Sequence, residues 1–447
     1  MTEKLSILNP YPRRIPGSEL LHELVSNGSV ESCIAIEYLS PNEAIERLSY
    51  SDLRLRSDVL AHRILSAWQR HPTTSIPERF IAPIFIQQCP DLYVSELAAL
   101  KAGAAFCPIA LDVPEERLRF ILNDIDAKFI LTTTQLSDSL PALEGIEIIC
   151  VDYCPRDIDD SPLALEIVSS QPAYIMYTSG STGLPKGVVV SHSAATQALL
   201  AHDGHIPPFS RFLQFASPTF DVSVFEIFFP LFKSCTVVCG SRRQLLNDLP
   251  GFIEHMGVDA AELTPSVVSS LLRNRASVPS LKVLLTIGEM LKRDVVEAFG
   301  AHTDADGVLC GLYGPTEAAI HCTVQPQFSS AMSINNIGMP LDTVSTFVVR
   351  PTAPAGDLED PNQILPIGEE GELVVGGYQL ADGYLNRPEQ TRSSFFQHDE
   401  YGTLYRTGDR ARLTRDGTLE CLGRISSGQV KLRGQVRCGP SNTLLKY

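Results

Sequence analysis

Tyr174-Ile-Met-Tyr-Thr-Ser-Gly-Ser-Thr-Gly-Leu-Pro-Lys-Gly187 joins two apolar stretches through a loop dense in glycine and hydroxyl side chains, with one lysine. Gly180, Gly183 and Gly187 let the chain turn sharply enough for successive amide N–H groups to converge on an anion. Thr178, Ser179, Ser181 and Thr182 add hydroxyl donors, and Lys186 adds a full positive charge. The order differs from a P-loop, in which Gly-Lys-Ser/Thr opens a helix; here Pro185 precedes the lysine and Gly187 follows it. A Gly/Ser linker has a similar composition, but a linker is not bracketed by Tyr-Ile-Met-Tyr and Val-Val-Val, which read as buried strands.

Around this loop the chain alternates strand and helix patterns. Before Ser170, the runs 81–86 and 128–133 read as strands and 95–101 as helix, which is α/β layering. After the loop, the strand patterns 236–239 and 283–287 alternate with helical segments around 267–272 and 294–299. From Ile337 onward, short strands and Gly/Pro/Asp turns dominate, as in Gly371-Glu-Leu-Val-Val-Gly-Gly377 and Arg415-Asp-Gly-Thr-Leu-Glu420, which predicts a small β-rich unit. No internal repeat is visible.

The 447 residues, 44% hydrophobic, suffice for a large core shared by several subdomains. A net charge of −16 opposes general nucleic-acid binding, because a polyanion meets a repulsive field. The sequence shows no basic start followed by an apolar signal segment and no apolar run long enough to span a bilayer, so the expectation is a cytoplasmic protein with no membrane partner. Eleven cysteines without Cys-x-x-Cys spacing fit buried thiols rather than a disulfide framework or a zinc site. His321-Cys322 is not read as a nucleophile pair, since neighbours on a strand point to opposite faces.

The run 177–187 resembles the signature loop of the adenylate-forming (AMP-binding) enzymes, which include acyl-CoA synthetases, luciferases and nonribosomal peptide synthetase adenylation domains. The resemblance extends from Leu100-Lys-Ala-Gly-Ala-Ala-Phe-Cys-Pro108 to Gly434, with the motifs in the family's order. It implies an α/β fold with a large N-terminal body of two α/β subdomains plus a small β-barrel, here residues 1–435, normally followed by a C-terminal lid domain.

The implied reaction joins a carboxylate to the α-phosphate of ATP and expels pyrophosphate, with Mg²⁺ as cofactor. By resemblance, Thr178, Ser179, Gly180, Ser181, Thr182, Gly183 and Lys186 steer the phosphates through charge-assisted hydrogen bonds. In Gly311-Leu-Tyr-Gly-Pro-Thr-Glu317, Tyr313 would stack on adenine, Thr316 bind the α-phosphate and Glu317 help hold Mg²⁺. Asp409, in Tyr405-Arg-Thr-Gly-Asp409, would accept hydrogen bonds from the ribose hydroxyls, and Arg424 would contact ribose or phosphate. The motif 376–388 is read as mainly structural.

Phe220-Asp-Val-Ser-Val-Phe225 separates the amino-acid-activating members from the others, because Asp221 can pair with a substrate α-ammonium group that would otherwise be buried without a counter-charge. The competing reading of Asp221 is a helix N-cap. The implied side-chain pocket comprises Val222, Phe225, Glu262, Leu285, Ile287, Leu312, Ile320 and His321. Glu262 and His321 either address a polar or cationic substrate side chain or satisfy each other. Glycine, serine, alanine and ornithine derivatives all stay open. An acyl- or aryl-CoA ligase is the alternative enzyme, and an inert nucleotide-binding fragment the alternative to an enzyme.

The stretches 259–265, 284–291 and 423–434 resemble fungal hydroxamate-siderophore synthetases of the ferrichrome type, which implies amino-acid activation in siderophore biosynthesis as a first module. The activated product would then pass to phosphopantetheine on a carrier protein domain not contained in this chain. The hinge-like run Gln429-Val-Lys-Leu-Arg-Gly-Gln435 continues into 436–447, which resembles nothing in the family. Val436-Arg437 can be encoded with the opening bases of a splice donor, so the expectation is a read-through intron in place of the lid, with impaired turnover.

Overall fold

The computed structural model describes residues 4–26, 31–70, 80–153, 161–178, 185–300, 307–351, 360, 362–425, 429–432 and 435–438, the last two stretches as backbone only. Two sheets organise the chain. The first has seven strands in the order Gly383–Tyr384, Lys186–Ser191, Pro172–Thr178, Ala105–Pro108, Ile81–Phe85, Phe129–Thr132 and Glu147–Cys150. Its last five strands are parallel, and Ile81–Phe85 and Phe129–Thr132 are buried at every position. That burial explains their continuous apolar runs, since a parallel sheet is covered on both faces.

The second sheet has fifteen strands. Its parallel part contains Ile34–Leu39, Thr236–Gly240, Arg211–Leu213, Ala260–Leu263, Val283–Thr286 and Val308–Tyr313. The β-rich unit expected after Ile337 forms from Asn336–Pro340, Val344–Val349, Gly371–Gly377, Gly402–Leu413 and Leu419–Arg424. Its ladder runs on without a break through Asn336–Pro340 and Thr323–Gln325 into the parallel strands, so the β-rich unit and the second α/β layer share one sheet.

Helices Pro90–Lys101, His192–Ala201 and Val222–Phe232 are almost wholly buried and belong to one hydrophobic cluster with residues of both sheets. The near-continuous apolar sequence of Val222–Phe232 suits a helix covered all round. The longest described helix, Tyr50–Gln69, lies further out and starts at a capping box in which the Ser49 and Asp52 side chains satisfy each other's backbone N–H. No described helix is long and apolar enough to cross a membrane. The nine described cysteines are free thiols. His321 and Cys322 differ from the expected strand placement: they precede the strand Thr323–Gln325, and each has partners other than its neighbour.

Candidate functional site

The site lies where the two sheets meet, around the segment that follows the strand Val308–Tyr313. Lys186 begins the strand Lys186–Ser191 and stands in register opposite Thr178 at the end of Pro172–Thr178. Gly187 is required by close packing rather than by its dihedral angle, for a Cβ there would lie 2.9 Å from Ile175 Cγ2. The Thr178 hydroxyl is buried and has no partner among the described residues. Ser179, Gly180, Ser181, Thr182 and Gly183 lie outside the described residues.

Lys186 Nζ donates to Glu317 Oε1 at 3.0 Å, and Tyr384 Oη donates to the same oxygen at 2.7 Å. The Lys186 ammonium also sits 3.8 Å from the centre of the Tyr384 ring. Burial pushes the Glu317 carboxyl upward, but Lys186 and the Tyr384 hydroxyl outweigh it and hold the group below its ordinary range. Tyr384 lies within the motif read as structural, and nothing in its immediate sequence pointed to Lys186. The antiparallel pairing of Gly383–Tyr384 with Lys186–Ser191 creates the contact.

After Glu317 the chain makes a strained turn, with Ala319 at φ 48° and Ile320 at φ 71°. Positive φ is an outlier for a β-branched residue. Gly314 makes the close return possible, since a Cβ there would meet the Ile320 carbonyl oxygen at 2.1 Å. Gln379 Nε2 braces the turn from outside, donating to His321 O at 2.6 Å, Ala319 O at 3.3 Å and Ala318 O at 3.4 Å.

The turn presents the Ile320 N–H to Asp221 Oδ2 at 3.2 Å. Asp221 occupies the N-cap position of Val222–Phe232, yet its side chain makes no capping bond. The helix-cap reading therefore fails, and the carboxyl faces the turn instead. Burial lifts its pKa to about 6, against the lowering effect of the Ile320 N–H and the Thr316 hydroxyl. Glu317 nearby adds to the rise.

Of the candidate pocket residues, Ile320 contacts Asp221 directly, and His321 contacts Glu262 and Phe225. Glu262 and Leu285 are register partners on adjacent parallel strands, Leu312 and Ile287 flank them at strand ends, and Ile320 and His321 arrive from the turn. Phe225, Leu285 and His321 have no exposed surface, while Val222 is half-buried. His321 Nε2 and Glu262 Oε1 are 2.8 Å apart, so these two polar residues engage each other.

A cavity of about 270 Å³ is lined by two of the candidate pocket residues, Ile287 and Leu312, together with Tyr313, Ile337, Asp409 and Arg424, among others. Tyr313 Oη donates to Asp409 Oδ2 at 2.7 Å, and Arg424 donates to Asp409 Oδ1 at 3.1 Å and to Thr407 O at 2.7 Å. Burial works against the Arg424 charge, but Asp409 raises its pKa. Each Asp409 oxygen thus holds one partner and keeps acceptor capacity for a second.

No described group of three or more His, Cys, Asp or Glu residues forms a metal cage. Glu317 supplies one buried carboxylate, and Mg²⁺ is commonly bound through one or two carboxylates plus phosphate oxygens. The orphaned Thr178 hydroxyl, the Lys186 ammonium and the cavity beside Asp409 suit a nucleotide.

Comparison with known proteins shows what the chain is similar to. The chain is 53% identical over 435 residues to nonribosomal peptide synthetase SIDC of Beauveria bassiana, covering 96% of this chain and 9% of the relative. It is 33% identical over 457 residues to the hydroxamate-type ferrichrome siderophore peptide synthetase of Schizosaccharomyces pombe, covering 99% and 9%. The chain thus spans about a tenth of the length of these curated relatives. The nonribosomal peptide synthetase FmoA3 (S1046A) has the same fold, with a TM-score of 0.80 and 24% identity over 93% of this chain and 43% of that one. Its AMPPNP-bound form matches equally well. The sequence profile of the AMP-binding enzymes matches residues 32–385, and the chain belongs to that family.

Proposed function

We propose that this chain activates an amino acid as its adenylate, from ATP and with release of pyrophosphate, for nonribosomal siderophore peptide synthesis. The observation that carries the reading is Asp221. Its carboxyl is buried and accepts the Ile320 N–H, with no cation against it among the described residues, and a substrate α-ammonium would neutralise it. An aliphatic or aryl acid offers that carboxylate no partner, which disfavours a CoA ligase of such acids.

In this reading the substrate carboxylate oxygen attacks the α-phosphorus, a new P–O bond forms, and the bond to the pyrophosphate oxygen breaks. Lys186 and the loop from Thr178 to Gly183 hold the phosphates, Thr316 the α-phosphate, and Tyr313, Asp409 and Arg424 the nucleoside. Lys186 is paired with Glu317 at 3.0 Å, so phosphate binding would exchange that partner for another anion. Mg²⁺ held through Glu317 would neutralise charge on the leaving pyrophosphate. The product would pass to phosphopantetheine on a carrier domain of the longer synthetase. Residues 1–435 form the catalytic body in this proposal, and 436–447 a tail that departs from the family's pattern.

Amino-acid-dependent ATP/pyrophosphate exchange tests the reading. Exchange with at least one amino acid, lost in Asp221→Ala while nucleotide binding persists, supports it. Nucleotide binding without exchange for any member of a full amino-acid panel favours a nucleotide-binding fragment.

A further inference from the structure

Behind the candidate side-chain wall runs a buried chain of hydrogen bonds. It starts at the Ala198 carbonyl, in the last turn of His192–Ala201, where the C-cap residue His202 places Nδ1 at 2.6 Å. His202 Nε2 lies 3.0 Å from His321 Nδ1, and His321 Nε2 lies 2.8 Å from Glu262 Oε1. Both histidines are 0% exposed and Glu262 is 1% exposed.

The proton inventory follows from this connectivity. Three hydrogen bonds need three protons, one in each gap, because the carbonyl cannot donate. Two neutral imidazoles and one carboxylic acid carry that number between them, so the assembly is uncharged as a whole wherever the protons sit. Burial selects the form in which each member is separately neutral. His202 Nδ1–H then donates to Ala198, His321 Nδ1–H donates to His202, and the Glu262 O–H donates to His321 Nε2.

Two observations agree. Glu262 Oε2 is buried without a partner among the described residues, which an acid's carbonyl oxygen tolerates far better than a carboxylate does. Burial also drives His202 well below its ordinary range, His321 to about 3, and Glu262 well above its ordinary range. Nearby titratable groups do not supply a counter-charge: burial and Glu262 push Glu226 upward, and His205 acts on His202 as a like charge. Phe225 packs against both rings, with centroids 4.9 Å from His202 and 5.0 Å from His321, and closes the wall.

We propose that His202 is a positioning residue for substrate selection: through His321 it holds Glu262 as the uncharged end of a closed wall, so the site takes an amino acid with a small, uncharged side chain. The inference rests on the pocket reading above. A cationic side chain would face no counter-charge unless the Glu262 proton were released to solvent, and that release would break the O–H bond to His321 Nε2. A long side chain would have to displace Phe225.

The test uses the full chain labelled with ¹⁵N-histidine, with His202 and His321 assigned by single substitution. Long-range imidazole correlations should show both rings as neutral Nδ1–H tautomers from pH 6 to pH 8. Glu262→Gln should preserve that pattern, because its amide N–H replaces the acid O–H, whereas His202→Phe should change the His321 signals. An imidazolium at either position in that pH range overturns the relay, whether or not the protein adenylates anything. In exchange assays, glycine, alanine or serine should be preferred at least tenfold over ornithine and lysine. His202→Phe should raise the amino-acid KM about tenfold with the ATP KM unchanged. Preference for ornithine or lysine with the tautomers intact overturns the selectivity alone. Absence of exchange with every amino acid rejects the adenylation reading and the selectivity with it, and the tautomer result then decides the relay.

Discussion

The Lys186 ammonium stands 3.8 Å above the Tyr384 ring while both side chains converge on one oxygen of Glu317. The ring fixes the cation from below and the hydroxyl fixes its carboxylate partner, so one residue orients both charges. Tyr384→Phe keeps the ring and removes the hydroxyl. A hydrogen bond to a charged group contributes about 1.5–3 kcal/mol. The expected outcome is a roughly tenfold fall in the exchange rate with little change in the amino-acid KM. Lys186→Ala removes the charge itself and should cost about a hundredfold or more. Steady-state exchange kinetics check both, and a wild-type rate in Tyr384→Phe would remove the hydroxyl from the argument.

Asp221 links stability to function. Its folded-state pKa of about 6 lies above the roughly 3.9 of an unfolded aspartate. Between those values the native state binds more protons than the unfolded state, so this group makes stability fall as pH rises, and above pH 6 its ionisation costs on the order of 3 kcal/mol. Asp221→Asn should therefore stabilise the ligand-free protein, more at pH 8 than at pH 4, while raising the amino-acid KM by a hundredfold or more. Denaturant titrations at the two pH values, paired with exchange kinetics, measure both effects. A stability gain that does not grow with pH would contradict the buried-carboxyl account. In the unsubstituted protein the amino-acid KM should rise as pH falls through about 6, because the carboxylate that receives the ammonium is then protonated.

Asp409 already accepts from Tyr313 and Arg424, so its place in nucleotide binding depends on the acceptor capacity that remains. Asp409→Asn replaces one acceptor oxygen by a donor and removes the charge facing Arg424. ATP affinity should fall between tenfold and a hundredfold, with amino-acid binding unaffected. Calorimetric titration with a non-hydrolysable ATP analogue measures the change, and an unaltered affinity would place the nucleoside elsewhere.

The parallel strands Ile81–Phe85, Phe129–Thr132, Thr236–Gly240 and Val283–Thr286 were legible because burial leaves apolar runs, and the strand Gly371–Gly377 falls in the region read as short strands and turns. The site's clusters were legible because Asp221, Glu317 and Asp409 sit in compact motifs. The supporting residues were not. His202 lies 119 positions from His321, and Tyr384 lies 67 from Glu317, so no local pattern could connect them. The mutual satisfaction of Glu262 and His321 was one of two open readings in the sequence, and a 2.8 Å contact at full burial supports it. The continuity of the β-rich unit with the second sheet also escaped the sequence, because strand pairing across Thr323–Gln325 and Asn336–Pro340 leaves no compositional mark.

Gln379 carries the last prediction, because the left-handed turn at Ala319 and Ile320 has no reason to persist alone. Non-glycine residues held at positive φ cost about 1–3 kcal/mol each and survive only where the surroundings over-determine them. Here Gln379 supplies that support through three carbonyls, and its own Oε1 accepts the Thr343 hydroxyl at 2.5 Å. Gln379→Leu fills similar space and removes all of these bonds, so the turn should relax and withdraw the Ile320 N–H from Asp221. The amino-acid KM should then rise roughly tenfold while ATP affinity holds, and stability should drop by about 1–3 kcal/mol for the carbonyls and hydroxyl left unpaired. Ala319→Gly in the same background reaches φ 48° without steric cost and should recover part of the KM loss. A Gln379→Leu protein that loses stability but keeps its wild-type amino-acid KM would show that the turn holds Asp221 without this brace.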